Sequence, residues 1–136
     1  MSVPLSDRLD RLVLTVRDIA ATRAFYRDVL GMKVVTFDGG RTAWRLGSQK
    51  INVHQAGGEF EPKTARPTPG AAGLCFVVAR PPAEVTAHLH GRGVEIDEGP
   101  VVRLGALGPI ESVYVRDPDG NLIELAAYAN GRAPRE

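Results

Sequence analysis

The hydrophobic pattern alternates short β-rich runs with one helical period, and the whole series occurs twice. Leu9 to Arg17 (Leu-Asp-Arg-Leu-Val-Leu-Thr-Val-Arg) is an apolar, β-branched run that suits a strand buried on at least one face. Asp18 then stands as an N-cap. Ile19, Thr22, Ala24, Phe25, Tyr26, Val29 and Leu30 follow at helical spacing until Gly31 ends the element. Met32 to Asp38 is β-rich again, Gly39-Gly40-Arg41 turns, and Thr42 to Gln55 reads as a hairpin. The order is β-α-β-β-β.

The stretch from Gly57 to Gly70 carries too much Gly and Pro for either regular element and reads as a connector, either ordered in part by Phe60 or a flexible tether. The pattern then restarts. Gly73 to Val78 is a strand, Pro81-Pro82 opens a helix through Leu89 that Gly91 closes, and Val94-Glu95-Ile96 is a further strand. A glycine-rich loop from Gly99 to Pro109 leads into the clearest hairpin of the chain, Ser112 to Tyr128, folded back at Asp117-Pro118-Asp119-Gly120. The expected fold is α+β: one domain over residues 1–136, with a β-α-β-β-β module over about residues 8–56, a connector over about 57–71 and a second module over about 72–129. Leu12 matches Leu74 and Val16 matches Val78. Two such half-open sheets side by side enclose a pocket lined by inward-facing strand residues.

Setting the hairpins against each other without a gap places Trp44 under Tyr114 and His54 under Glu124. In the returning strand Leu122 and Glu124 share one face, Ile123 and Leu125 the other, so a carboxylate stands within an apolar segment. A lone Glu in a strand is ordinarily a solvated one. A His at the matching place makes the pair a candidate site.

Composition narrows the function classes. Across 136 residues, seventeen basic and sixteen acidic side chains leave a formal charge of +1 with no run of like charges, so nothing in the composition advertises nucleic acid, a membrane surface or a polyanion as partner. With 43% apolar residues the chain has the makings of an ordinary globular core. Cys75, the single cysteine, has no intramolecular disulfide partner, and the amino terminus shows no signal pattern. No apolar run approaches the roughly 18 residues of a membrane span. The expected location is cytoplasmic.

Several segments together resemble a known superfamily. Leu9-Asp10-Arg11-Leu12-Val13-Leu14-Thr15-Val16, Phe25-Tyr26-Arg27-Asp28-Val29-Leu30-Gly31-Met32, Lys50-Ile51-Asn52-Val53-His54 and Arg116-Asp117-Pro118-Asp119-Gly120-Asn121-Leu122-Ile123-Glu124 are similar to the vicinal oxygen chelate (VOC) superfamily of glyoxalases, extradiol dioxygenases, and fosfomycin- and bleomycin-resistance proteins. Phe60-Glu61-Pro62-Lys63, Pro67-Thr68-Pro69-Gly70 and Glu98-Gly99-Pro100 resemble a narrower group, small glyoxalase-domain proteins labelled biphenyl-diol-dioxygenase-like or virulence-associated. The resemblance implies paired β-α-β-β-β modules, a homodimer and, in many members, a divalent metal at four inward positions. Those positions carry over to Arg11, His54, Gly73 and Glu124. Two of them, His54 and Glu124, are competent ligands; Arg11 is a permanent cation and Gly73 has no side chain.

The expected chemistry follows from that mixed set. His54, Glu124 and Arg11 are the catalytic candidates: Arg11 receives an anionic group or pairs with Glu124, while His54 or Glu124 moves a proton. Arg11, Trp44, Arg103 and Tyr114 are the substrate-binding candidates, Trp44 and Tyr114 having cross-strand packing as their simpler role. His88 and His90, ending the second helix, are assigned to the surface. The first reading is a metal-independent isomerase, epimerase, cyclase or lyase acting on a small oxygenated organic molecule, with no cofactor. One alternative is a binding or sequestering protein of bleomycin-resistance type. The other is a weakly metal-dependent glyoxalase- or dioxygenase-like enzyme in which His54, Glu124 and the Cys75 thiolate hold the ion. A small buried hydrophobe is the plainer role for Cys75.

Overall fold

A computed structural model describes residues 5–129. The chain divides between Thr68 and Pro69 into two compact units, each built around one four-stranded sheet. In the first, β1 (Arg11–Val16) leads to α1 (Ile19–Ala24), then β2 (Lys33–Phe37), β3 (Arg41–Leu46) and β4 (Gln49–Gln55). The second holds β5 (Gly73–Val77), α2 (Pro82–Gly91), β6 (Glu98–Gly105), β7 (Gly108–Arg116) and β8 (Leu122–Ala127). The sheet orders are β1-β4-β3-β2 and β5-β8-β7-β6, so in each the first strand lies parallel to the last and the remaining neighbours are antiparallel. This is β-α-β-β-β twice over, as the pattern predicts.

Local chemistry sets these elements. Asp18 is extended and its carboxylate accepts from the backbone N–H of Ala20 and Ala21, which starts α1. The helix does not run on as a plain α-helix to Leu30: Phe25–Val29 is a π turn, which inserts one residue into the spiral. Thr22 and Tyr26 are both fully buried on its inner side. Tyr26 stacks on Trp44 with ring centroids 6.2 Å apart, and Ile51, Val53, Leu14 and Val16 complete this side of the first sheet. In the second unit Val85 and Leu89 of α2 are buried, as are Val113, Val115, Ile123 and Leu125 of β7 and β8. Each sheet therefore has a core face under its helix and an opposite face that carries the polar chemistry.

The Asp-Pro-Asp-Gly turn is held from within. Asp117 Oδ1 accepts from the N–H of Asp119 and of Asn121, both at 2.9 Å, and Asn121 Nδ2 donates to Asp117 Oδ2 at 2.7 Å. Asn121 Oδ1 in turn accepts from the Ala72 N–H at 2.8 Å, tying the turn to the start of β5. A Cβ on Gly70, whose φ is +81°, would stand 2.5 Å from the Asp119 carbonyl oxygen. Only glycine fits there.

Two expectations for the second unit need correction. Val94-Glu95-Ile96 is not a strand, and most of the stretch assigned to a glycine-rich loop is β6 and the start of β7. As an edge strand, β6 tolerates glycine and proline that a central strand would not. Gly99 has φ +112° and a Cβ there would meet Ser112 O at 2.4 Å, so the close approach of β6 to β7 requires it. Among the described residues no helix is long and apolar enough to cross a membrane.

Candidate functional site

The face of the second sheet opposite Val113, Val115, Ile123 and Leu125 gathers one polar cluster. Cys75 of β5, Glu124 of β8 and Tyr114 of β7 are cross-strand partners in succession, so their side chains leave the sheet on the same side. Ser112, two residues before Tyr114, shares that side and is fully buried; its Oγ donates to Glu124 Oε2 at 2.6 Å. Arg103 and Glu98 of β6 extend the cluster. Arg103 Nε donates to the Tyr114 hydroxyl at 3.2 Å and Nη2 to Glu98 Oε2 at 2.9 Å. Tyr114 and then Glu98 hold the Arg103 guanidinium even more firmly protonated than usual.

Cys75 is exposed, which corrects the expectation of a small buried hydrophobe. Partial burial, and then the neighbouring Glu124 charge and hydrogen bond, push its thiol up from its ordinary value of 9.0 to about 11. At neutral pH it is a protonated thiol beside a carboxylate.

His54 belongs to the first sheet, where it is nearly buried and meets the Phe60 ring edge-on at 5.6 Å. Arg41 stacks on the same Phe60 ring at 4.3 Å, so the connector is anchored through Phe60 as expected. Glu59 accepts from the Gly57 N–H at 2.9 Å and lies near Lys63 and His54; those contacts, the Gly57 bond foremost, hold its carboxyl below the usual range. Asn52 shares the His54 face, and its Oδ1 is buried without a hydrogen-bond partner.

Strand register corrects the match between the hairpins. Leu12 pairs with Ile51 and its counterpart Leu74 pairs with Ile123, so Asn52, not His54, is the counterpart of Glu124. By the same measure Ala43 corresponds to Tyr114, because Ala43 pairs with Asn52 as Tyr114 pairs with Glu124. Trp44 accordingly lies on the helix side of its sheet, fully buried against Tyr26, and takes the packing role instead of lining a binding surface with His54. Arg103 stands on a strand, not in a loop. Arg11, half-exposed, pairs with Asp10 at 2.6 Å, and Glu124 accepts its hydrogen bond from Ser112 within its own sheet. His88 and His90 are exposed at the end of α2, as read from the sequence. Ser112 was not singled out by sequence, although its spacing from Tyr114 puts it on the Glu124 face.

Few of the positions that the resemblance assigns to a metal carry a donor side chain. Of the positions that the resemblance assigns, Arg11 holds a guanidinium, His54 an imidazole, Gly73 no side chain and Glu124 a carboxylate, and strand register puts the neutral amide of Asn52, instead of His54, at the place equivalent to Glu124. Divalent ions in proteins take three or four good donors, and a guanidinium is not one. Among the described residues no group of three or more His, Cys, Asp or Glu is gathered that could hold one.

Comparison with known proteins agrees with this architecture. The family model for the glyoxalase/bleomycin resistance protein/dioxygenase superfamily matches residues 8–125. Virulence protein STM3117 of Salmonella typhimurium is 55% identical over 122 residues, covering 90% of this chain and 85% of that protein. Its crystal structure superposes with a TM-score of 0.91 at 53% identity, covering 93% of this chain and all of the other (100%). The glyoxalase domain-containing protein RDO1 of Mycosarcoma maydis is 53% identical over 124 residues, 91% of this chain and 70% of that protein. Repeated β-α-β-β-β topology, the family model and these relatives together establish that this chain belongs to the glyoxalase/bleomycin resistance protein/dioxygenase superfamily.

Proposed function

We propose that the protein binds a small oxygenated organic molecule and transforms it by proton transfer, as an isomerase, epimerase, cyclase or lyase whose chemistry comes from its own side chains without a resident metal. The observation that carries this reading is the oriented carboxylate of Glu124. A half-buried Glu on a sheet face, held in one rotamer by the Ser112 hydroxyl at 2.6 Å, is a positioned proton acceptor. Tyr114 and Arg103, joined at 3.2 Å on the same face, offer a phenol and a guanidinium to an oxyanion or enolate formed as the proton leaves. His54 is the second candidate base, and Arg11 a second candidate for an anionic ligand group. The donor set at the four inherited positions supports chemistry without a bound ion.

A second reading is sequestration without turnover. It is favoured by the internal satisfaction of the same carboxylate, since Glu124 already has the Ser112 hydroxyl and the Cys75 thiol beside it. A metabolite library screened by thermal stabilisation identifies a ligand, because any molecule that binds only the folded chain raises its melting temperature. Product analysis then separates the two. With Glu124→Gln, turnover is abolished while affinity stays within about tenfold if the protein is an enzyme. Binding with no product from the unaltered chain establishes sequestration.

A further inference from the structure

Four cations stand in one cross-strand row on the first sheet. Arg11 of β1 is the partner of Lys50 of β4, Lys50 of Arg45 of β3, and Arg45 of Lys33 of β2. Paired residues leave a sheet on the same side, so all four side chains share the face of Asn52 and His54, opposite Trp44 and Ile51. Neighbouring strands are about 4.8 Å apart, and the row therefore spans roughly 14 Å.

Such a row is unfavourable in itself, because like charges directly opposite one another on a ladder repel. Two of the four are compensated. Arg11 Nη1 meets Asp10 at 2.6 Å, and the Lys50 ammonium lies 3.7 Å from the centre of the Phe37 ring. Arg45 and Lys33 are adjacent and exposed, and no carboxylate among the described residues pairs with either. Charge on an edge strand is a common guard against edge-to-edge pairing, and β1 and β2 are the edges of this sheet. That accounts for Arg11 and Lys33. It leaves Lys50 and Arg45, on the two central strands, without a reason to be cationic.

We propose that this row is a binding strip for an elongated small-molecule polyanion carrying two or more phosphate or carboxylate groups about one strand interval apart. The Arg45 guanidinium takes one group through paired N–H donors, and the Lys33 and Lys50 ammonium groups neutralise its neighbours as point charges. Bound anion replaces the repulsion along the row with attraction, so ligand and sheet stabilise each other. The strip rests on register and charge in the first unit and is independent of proton transfer at Glu124.

The test is calorimetric titration with inorganic triphosphate and, separately, citrate, each at an ionic strength held constant with sodium chloride. Binding of triphosphate alone marks the groups as phosphates, of citrate alone as carboxylates, and of both as a strip that reads charge spacing; all three support the proposal. Arg45→Gln and Lys33→Gln, which keep an aliphatic stem, each weaken binding about tenfold and together about a hundredfold, whereas Arg66→Gln on the connector leaves it unchanged. The ligand-free variants melt at the same or a higher temperature, because repulsion is relieved. The proposal is overturned by binding no stronger than that of chloride, by full affinity in the double variant, or by a lowered melting temperature that marks the cations as structural.

Discussion

Ser112 and Glu124 sit diagonally across the β7–β8 ladder, and the buried hydroxyl of the first donates to the carboxylate of the second at 2.6 Å. The bond has a consequence for both stability and activity. Ser112→Ala removes the donor from a half-buried carboxylate and is expected to cost about 1–2 kcal/mol, measured by denaturant unfolding. If Glu124 moves the proton, the same variant lowers turnover about tenfold or more with ligand affinity nearly unchanged, because orientation is lost and contacts with the ligand are not. A loss of stability with turnover intact would leave Ser112 a purely structural partner.

Cys75 supplies a titration that reports on Glu124. With its thiol pushed up to about 11 from an ordinary 9.0, the thiolate fraction at pH 8 falls about a hundredfold, and alkylation by iodoacetamide slows accordingly. Folding favours the protonated thiol. Its contribution to stability is therefore whole below the ordinary value and is lost as pH rises from about 9 towards about 11. Glu124→Gln removes the second-ranked cause and leaves burial in place, so alkylation at pH 8 should speed up without reaching the rate of a free thiol. An unchanged rate in that variant would separate the two groups.

Trp44 tests which side of the first sheet carries the chemistry. It is fully buried and stacked on Tyr26, so Trp44→Ala should cost about 3–5 kcal/mol in unfolding experiments. Trp44→Phe retains an aromatic ring against Tyr26 and should be tolerated, with ligand affinity within a few-fold of the original. A large loss of affinity in a well-folded Phe variant would return Trp44 to the binding surface.

Asn121 is the pivot of the turn between β7 and β8. Its side chain donates to Asp117 at 2.7 Å and accepts from the Ala72 N–H at 2.8 Å, and it is 1% exposed. Asn121→Ala removes a side-chain donor from the buried Asp117 carboxylate and the acceptor of the part-buried Ala72 N–H, and is expected to cost about 2–4 kcal/mol, read from the midpoint of chemical unfolding. Because the turn fixes the start of β8, ligand affinity should fall with it. Unfolding at the original midpoint would mean that the Asp117 network holds the turn without Asn121.

The repeated fold was legible because most of its strands, both helices and the main turn are encoded locally: Asp18 caps, Asp117 to Asn121 turn, and Leu12 and Leu74 open equivalent strands. Register was not legible. The turn between β3 and β4 is Gly47-Ser48, whereas that between β7 and β8 runs from Asp117 to Asn121, so laying one hairpin over the other without a gap slips the strands. A one-residue slip moved Trp44 to the wrong face, and a two-residue slip, invisible to alternation, put His54 in the place of Asn52. β6 was hidden for another reason. Gly99, Pro100 and Gly105 read as a loop, but on a sheet edge they accommodate a bulge and a close neighbouring strand. Glu124, Tyr114 and Arg103 were each singled out as site residues, and the second sheet brings them together with Ser112 and Cys75. The cation row escaped notice because Arg11, Lys33, Arg45 and Lys50 are scattered in sequence and meet only in cross-strand register.

Turnover of the ligand found by thermal screening, followed with and without a strong chelator, tests most directly whether the chain's own side chains do the chemistry. Product formation should continue unchanged in chelator and disappear in Glu124→Gln with the ligand still bound. Activity that is lost on chelation and restored by a divalent ion would contradict the account.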